Sequence, residues 1–421
     1  MVSSSIFKAK RKNIRISRLA CYAAILYPFL NYYGYGNLTF SFVMIFLLFI
    51  YVIKSRGHIT FAYPIFIISY MAYLCIMRVL CNITSFSDML TPSLIYIFIL
   101  YGFFNKEIAL PLFLRIYRWA VFVNILFFIF QECLYTISGY RVLGILTWLP
   151  STIGGEDFDV SQYEELSMHA ERSSAFFSEP AHFVQFMLPL LVIELFYVGD
   201  KKAYIRSFIY LLTLLALSSG NALLGISIIG LFFIAKLLKQ FHPVIGIFTI
   251  LFFVAGVVFA VNKVLKTEYG EKLMDRSEEL DSNSVQVSSG FLRIFRGYYI
   301  WDEMTGFEKT IGLNSETKLE EKIRQCSVAA TFKDNDRYMN AAQSFLISTG
   351  YIGTLIFLLF LISLWRHNNL AGRCCIAIYV ALSFIASIYF TYTMVLYLLV
   401  AFLMKKETST PQMRTLTLRF V

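Results

Sequence analysis

Long apolar stretches separated by short charged loops dominate the chain. They fall at 19–33, 38–53, 60–80, 90–104, 118–138, 180–198, 204–218, 221–238, 243–262, 343–364, 374–388 and 391–404. None alternates apolar and polar residues with the period of two that a half-buried strand requires, so each predicts a helix. A bilayer core of roughly 30 Å takes about 20 helical residues to cross. The pattern therefore predicts an all-α, polytopic integral membrane protein of about twelve transmembrane helices. The pattern favours helices over a β-barrel, whose strands would be short and alternating rather than continuous.

The basic residues give the bundle a direction. Lys8, Lys10, Arg11, Lys12, Arg15 and Arg18 precede the first stretch, and Lys54 and Arg56 follow the second. Lys106, Arg115 and Arg118 follow the fourth, Lys201, Lys202 and Arg206 the sixth, and Lys236 and Lys239 close the eighth. Arg366 and Arg373 follow the tenth stretch, and Lys405 and Lys406 the twelfth. The alternate loops, near 34–37, 81–89, 219–220 and 389–390, hold no Lys or Arg. Basic short loops mark the cytoplasmic side, so both termini are predicted to be cytoplasmic. The last 30 residues of apolar chain are read as two short helices, because a single one would place Lys405 and Lys406 outside.

Composition agrees with this: 58% of residues are hydrophobic and only 15% charged, which removes the chain from the soluble classes. The formal charge of +10 sits largely in the short loops and so orients the protein rather than binding nucleic acid. The basic start leads into the first span without a small-residue cleavage site, so that span is read as retained. The seven cysteines form no C-x-x-C pair or disulfide framework, and no H-E-x-x-H or acidic metal-binding constellation is present. No metal and no cofactor are expected. Asn37-Leu-Thr and Asn82-Ile-Thr match glycosylation acceptors, a motif too short to carry weight.

The predicted organisation is a basic tail (1–18), spans one to five (19–138), a first large outer loop (139–179), spans six to nine (180–262), a second large outer loop (263–342), spans ten to twelve (343–404) and a cytoplasmic tail (405–421). Long loops on a rigid scaffold are where function concentrates. The first contains RSSAFFSEPAHF, 172–183, with Arg172, Glu179 and His182 around Pro180. Proline suits the first turn of a helix, so Ser178 or Glu179 would cap span six at the outer surface, and His182 would lie one turn in. Glu179 is thus either a cap or a carboxylate offered to a lipid headgroup. His169 and the acids Glu156, Asp157, Asp159, Glu164 and Glu165 read as solvated loop. In the second loop, SSGFLRIFRGYYIW, 288–301, sets Phe291, Ile294, Phe295 and Tyr298 on one helical stripe suited to the membrane interface. Arg293 and Arg296 then fall opposite, either as a solvated basic face or as a pair of cations for a phosphate. Asp334, Asn335 and Asp336 offer caps for span ten, with Asn340 near its outer end. Arg78, Glu132 and Glu194 are ionisable residues near span ends.

An arginine followed by F-x-E-P at the outer start of a span, here Arg172 with Phe177, Glu179 and Pro180, resembles the O-antigen and capsule repeat-unit polymerases. YMNAAQSFLISTGYIGTLIFLLF, 338–360, is similar to a passage these share with O-antigen ligases, with Asn340, Gly350 and Gly353 in its places. SSGNALLG, 218–225, resembles their small-residue turn between two central spans, although Ser219, Gly220 and Asn221 stand where a serine-arginine pair is common. No histidine occurs between 263 and 342, where ligases commonly carry one, and no R-x10-G spacing starts at Arg276, Arg293 or Arg296.

The resemblance implies a GT-C-like helical bundle in the bacterial cytoplasmic membrane. It implies a metal-independent glycosyltransferase that joins undecaprenyl-pyrophosphate-linked oligosaccharide repeats at the outer face, with a lipid-linked donor and acceptor and a chain-length regulator as partners. Arg172 would bind the donor pyrophosphate and Glu179 accept the proton of the attacking hydroxyl. Arg293, Arg296, His182 and Asn340 would contact substrate. The alternatives are ligation of glycan to a lipid core and flipping of the lipid-linked repeat. Flipping would call for ionisable residues along a central path.

Overall fold

The computed structural model describes residues 2–35, 38–56, 58–61, 64–80, 108–146, 149–150, 173–238, 289–313, 316–326, 339–388, 391–404 and 416–419. In chain order these form α1 (Val2–Leu30), β1 (Gly34–Tyr35), β2 (Leu38–Thr39), α2 (Phe40–Arg56), β3 (His58–Phe61), α3 (Pro64–Leu80) and α4 (Leu110–Ser138). There follow α5 (Pro180–Ile193, continued by a wide π turn over Glu194–Val198), α6 (Lys201–Ala216), α7 (Gly220–Leu238), α8 (Ser289–Glu303), α9 (Gly306–Ile311), α10 (Glu316–Gln325), α11 (Ala341–His367), α12 (Leu370–Ser383), α13 (Tyr392–Leu403) and β4 (Leu416–Arg419). The strands are two short antiparallel ribbons, β1 with β2 and β3 with β4. Among the described residues everything else that is regular is helical.

Helices occupy ten of the twelve apolar stretches; 90–104 and 243–262 lie outside the described residues. Among the described residues four helices are long and apolar enough to cross a membrane: Leu110–Ser138, Pro180–Val198, Gly220–Leu238 and Ala341–His367. Local chemistry sets their ends. α4 begins eight residues earlier than its apolar run suggests, because Pro111 occupies its first turn. Arg115 and Arg118, expected in the preceding loop, are therefore helical. At its other end Gly139 turns left-handed at φ 73 and returns its N–H to Tyr135. Asp200, Asn340 and Asn369 cap α6, α11 and α12 with side-chain oxygens that accept from the third helical N–H.

The final apolar segment is two helices. Asn369, ahead of α12, donates its N–H to the carbonyl of Met404, just past α13, at 3.0 Å, so the pair is an antiparallel hairpin. At the hairpin's other end Ala386 accepts from the N–H of Ala341, at the start of α11. Gly34 bonds to Pro150 and the Tyr33 hydroxyl accepts from Leu146, which draws the end of α1 to the 142–150 loop. β3 and β4 pair His58 with Arg419, so the loop after α2 and the C-terminal tail lie together.

The helix predicted in the second outer loop forms as α8, and the face it buries against the protein is the one that carries Arg296. Arg296, Gly297 and Ile300 are buried, while Tyr298 is half exposed. The cause is a second, smaller core, in which Ile300 and Met304 pack with Leu313, Leu319, Met339 and Ile347. Close contact at Gly297 fixes the rotation further: a β-carbon there would lie 2.6 Å from the Gln343 amide oxygen. Thr305 and Glu308 cap α9 reciprocally, and Lys322 of α10 adds an ion pair at 3.1 Å. Burial opposes the Glu308 charge, but these partners outweigh it and hold the carboxyl below its ordinary range.

Candidate functional site

The RSSAFFSEPAHF segment is pinned from below by α4. Ala175 adopts a left-handed conformation at φ 55 and is fully buried, a strained choice for a residue with a β-carbon. What stabilises it is the carboxamide of Gln131. Its oxygen accepts from the Ala175 N–H at 2.9 Å, and its nitrogen donates to Val142 at 2.7 Å and to Ala175 at 3.4 Å. Asn124 accepts from the Phe176 N–H, and the Phe177 ring enters the core against Phe29, Phe183 and Phe186. The apolar part of the motif is thus an anchor that holds Ser178 and Glu179 at the bundle's end. Gln131→Leu keeps the volume but orphans buried backbone groups, at about 1–3 kcal/mol each. It should lower the thermal midpoint of the purified protein and expose the 173–179 segment to protease; an unchanged midpoint would rule out the clamp.

Glu179 is the N-cap residue of α5 by backbone, extended at φ −139, ψ 149, and its carbonyl accepts from the N–H groups of His182 and Phe183. Its carboxylate makes no cap hydrogen bond. Asp200, Asn340 and Asn369 all do at the equivalent position, so the capping role open to Glu179 in the sequence is not the one it takes. Ser178 does not cap either. Its hydroxyl meets His182 Nδ1 at 2.9 Å and the Tyr32 oxygen at 3.3 Å, and Tyr32 itself lies 3.3 Å from the same Nδ1. If Ser178 donates to Tyr32 and Tyr32 to Nδ1, the imidazole carries its proton on Nε2. The Tyr392 ring meets the His182 ring edge-on at 6.0 Å, and the Glu179 charge acts on the hydroxyls of both tyrosines. Glu179, His182, Ser178, Tyr32 and Tyr392 therefore form one polar cluster, drawn from α5, the end of α1 and the start of α13. Tyr32 and Tyr392 gave no sign in the sequence beyond being tyrosines at the ends of apolar runs.

The second outer loop reaches the same end of the bundle through α11. Asn340 is itself the cap, accepting from Gln343 N–H at 2.9 Å; Asp334, Asn335 and Asp336, the caps expected, lie outside the described residues. α11 breaks at Gly350, whose φ 63 and ψ −170 are open to glycine almost alone. The break frees carbonyls, and the loop takes them up: Leu313 donates to Ile347 at 2.8 Å, and the Tyr73 hydroxyl of α3 lies 2.5 Å from the Thr349 carbonyl and 2.7 Å from that of Ile311. A β-carbon on Gly350 would come within 2.4 Å of Gly312 N, and one on Gly353 within 2.8 Å of the Tyr73 ring.

Arg296 is 1% exposed, so it is no solvated face; it is packed beside Gly297, which abuts the first turn of α11. Arg172 lies outside the described residues, as does the side chain of Arg293. Of the ionisable residues at span ends, the exposed Glu132 pairs at 3.7 Å with Arg141, whose side chain is largely buried, and Glu194 is fully buried between Arg118 and Arg206. Among the described residues no group of three His, Cys, Asp or Glu side chains gathers as a metal site. No family model matches the sequence, and no curated protein matches it either.

Proposed function

We propose that the chain is a glycosyltransferase that joins undecaprenyl-pyrophosphate-linked oligosaccharide repeats into a surface polysaccharide, O-antigen or capsule, at the outer face of the bacterial cytoplasmic membrane. The observation that carries this is Glu179, a carboxylate at a helix start that makes no cap hydrogen bond and whose charge acts on the Tyr32 and Tyr392 hydroxyls of the His182 cluster. Pyrophosphate is already a good leaving group, so the protein has two tasks: to hold its charge and to activate the acceptor hydroxyl. Glu179 takes the hydroxyl proton as the acceptor oxygen bonds to the anomeric carbon of the donor sugar. The bond from that carbon to the pyrophosphate oxygen breaks in the same displacement, and the lipid pyrophosphate leaves on Arg172. Arg293 and Arg296 serve the same charge from the second loop, and Asn340 and His182 line the substrate. The chemistry proposed needs no metal or cofactor.

In this reading the fold is a GT-C-like bundle of twelve spans with the Glu179 cluster outside and both termini cytoplasmic. Two features support that parity. The antiparallel α12–α13 hairpin returns the chain to the end at which it started, and the β3–β4 ribbon puts the C-terminal tail beside the loop between spans two and three.

Purified protein in vesicles, given lipid-linked repeats on the outer leaflet only, should produce a ladder of extended chains. Transfer only to an added lipid core would establish the ligase instead, and movement of unextended repeats across the bilayer would establish a flippase.

A further inference from the structure

At the end of the bundle away from Glu179, three helices meet around one carboxylate. Glu194 is 0% exposed and sits where α5 widens into its π turn. Arg118 of α4 donates Nε to one carboxylate oxygen at 2.5 Å, and Arg206 of α6 donates Nη2 to the other at 2.7 Å. One cation would neutralise this carboxylate, and here there are two. Each guanidinium uses one edge on Glu194; the side chains remain 31% and 27% exposed, respectively. Lys236 of α7 adds a further charge close by, bonded to the Leu195 carbonyl at 3.2 Å. Among the described residues the one other acid paired with this group is Asp200, 3.8 Å from Arg206 and itself largely exposed.

The surroundings identify the depth. α4 and α5 are two of the four helices apolar enough to cross a membrane, and Glu194 falls in the last turns of α5. Trp119, Tyr197 and Tyr204 are exposed around the cluster, the residue types that settle at headgroup level, and beyond them Phe122, Ile205 and Phe208 are exposed apolar surface. A net positive group of partly exposed guanidiniums, with exposed aromatics and apolar surface beside it, suits a phosphodiester with acyl chains attached.

We propose that Arg118 and Arg206, held in register by Glu194, bind the phosphate of an anionic phospholipid in the leaflet opposite the Glu179 cluster. The site is independent of the reaction proposed above. A structural tie alone would need the Arg–Glu–Arg contacts but would show no preference among lipids. Guanidinium forks that already share a buried anchor lose little freedom on meeting a second anion, whereas an ammonium offers no planar pair of donors.

The test is lipid selectivity of the full chain in nanodiscs, read as retention of phosphatidylglycerol against phosphatidylcholine. With Glu194 offsetting one of the three charges of Arg118, Arg206 and Lys236, two remain, which predict a preference of roughly 30-fold. In the Arg118→Lys/Arg206→Lys variant, which keeps charge opposite Glu194, the preference should fall severalfold. In Glu194→Gln it should persist or rise, because the competing carboxylate is gone. Lys201→Gln/Lys202→Gln, on the exposed start of α6, should leave most of it. Equal retention of both lipids by the wild type would overturn the proposal. So would full preference in the double Lys variant with loss in Lys201→Gln/Lys202→Gln, which would mean diffuse attraction by exposed lysines. Inorganic phosphate is the remaining source of the same chemistry: if it raises the thermal midpoint in detergent as much as phosphatidylglycerol does, the ligand is the free ion and the lipid assignment fails.

Discussion

Glu179→Gln should cut polymer formation by roughly 10² to 10⁴, the usual worth of a positioned proton transfer, and leave the thermal midpoint almost where it was. The second half of that expectation comes from the geometry. A side chain that caps a helix loses about 1 kcal/mol or so when replaced by a poor cap, but the Glu179 carboxylate makes no cap hydrogen bond to lose. Gln retains its length and shape and the φ −139 backbone, so only the ability to take a proton changes. The measurement is a comparison of polysaccharide ladders from cells holding equal amounts of each variant in the membrane, with melting of the purified proteins alongside. Arg172→Ala belongs in the same series and should leave single repeats on the lipid with few long chains. Wild-type ladders from Glu179→Gln would remove it as the base, and wild-type ladders from both would remove the site. A large drop in melting with Glu179→Gln would show that the residue is structural after all.

The sequence is most legible where its chemistry is local. Apolar runs and Pro180 place most of the described helices, because each acts on its own turn of chain. It is less legible where a residue's partner is distant. Gln131 holds Ala175 from 44 positions away, and Tyr32 reaches His182 across 150. Nothing in a tyrosine or glutamine says which backbone it will meet. The buried face of α8 is the clearest case. Spacing sets Phe291, Ile294, Phe295 and Tyr298 on a stripe suited to the membrane interface and Arg293 and Arg296 opposite, but it does not say that the missing side chain of Gly297 and Ile300 dock the helix and carry Arg296 in with them. Arg118 misled in the other direction: by position it is a loop cation that orients a span, but in the fold it is committed to a buried carboxylate on another helix. Glycines 350 and 353 stood out through the resemblance of 338–360 to the polymerase and ligase passage; that they mark a helix break and a close approach to Tyr73 required the partner surfaces.

That break gives the expectation with the largest effect on stability. Gly350→Ala places a β-carbon at φ 63, ψ −170, a region that costs a side chain about 1–3 kcal/mol, and drives it toward Gly312 N and the Thr310 carbonyl at 2.4 and 2.5 Å. Both contacts are backbone, so no rotamer relieves them, and overpacking of this kind adds about 1–3 kcal/mol. Two outcomes are open to the chain: to unfold around α11, or to release α9 from the break and keep the bundle. The second is the easier, because the second-loop helices have their own small core and are held to the bundle mainly along α11. Gly350→Ala should therefore make the 289–326 segment protease-sensitive and abolish polymer formation while much of the helical signal survives. Gly312→Ala faces the Ser348 carbonyl at 2.3 Å and should behave alike. The double variant should be little worse than either single one, since both act by the same undocking and their costs do not add. Gly353→Ala is the control: its β-carbon meets the side chains of Thr349 and Tyr73, which can shift, so the loss should be smaller. Wild-type protease resistance in both Gly350→Ala and Gly312→Ala would show that the loop is not seated on the break in α11, and the placement of Arg296 beside that helix would fall with it.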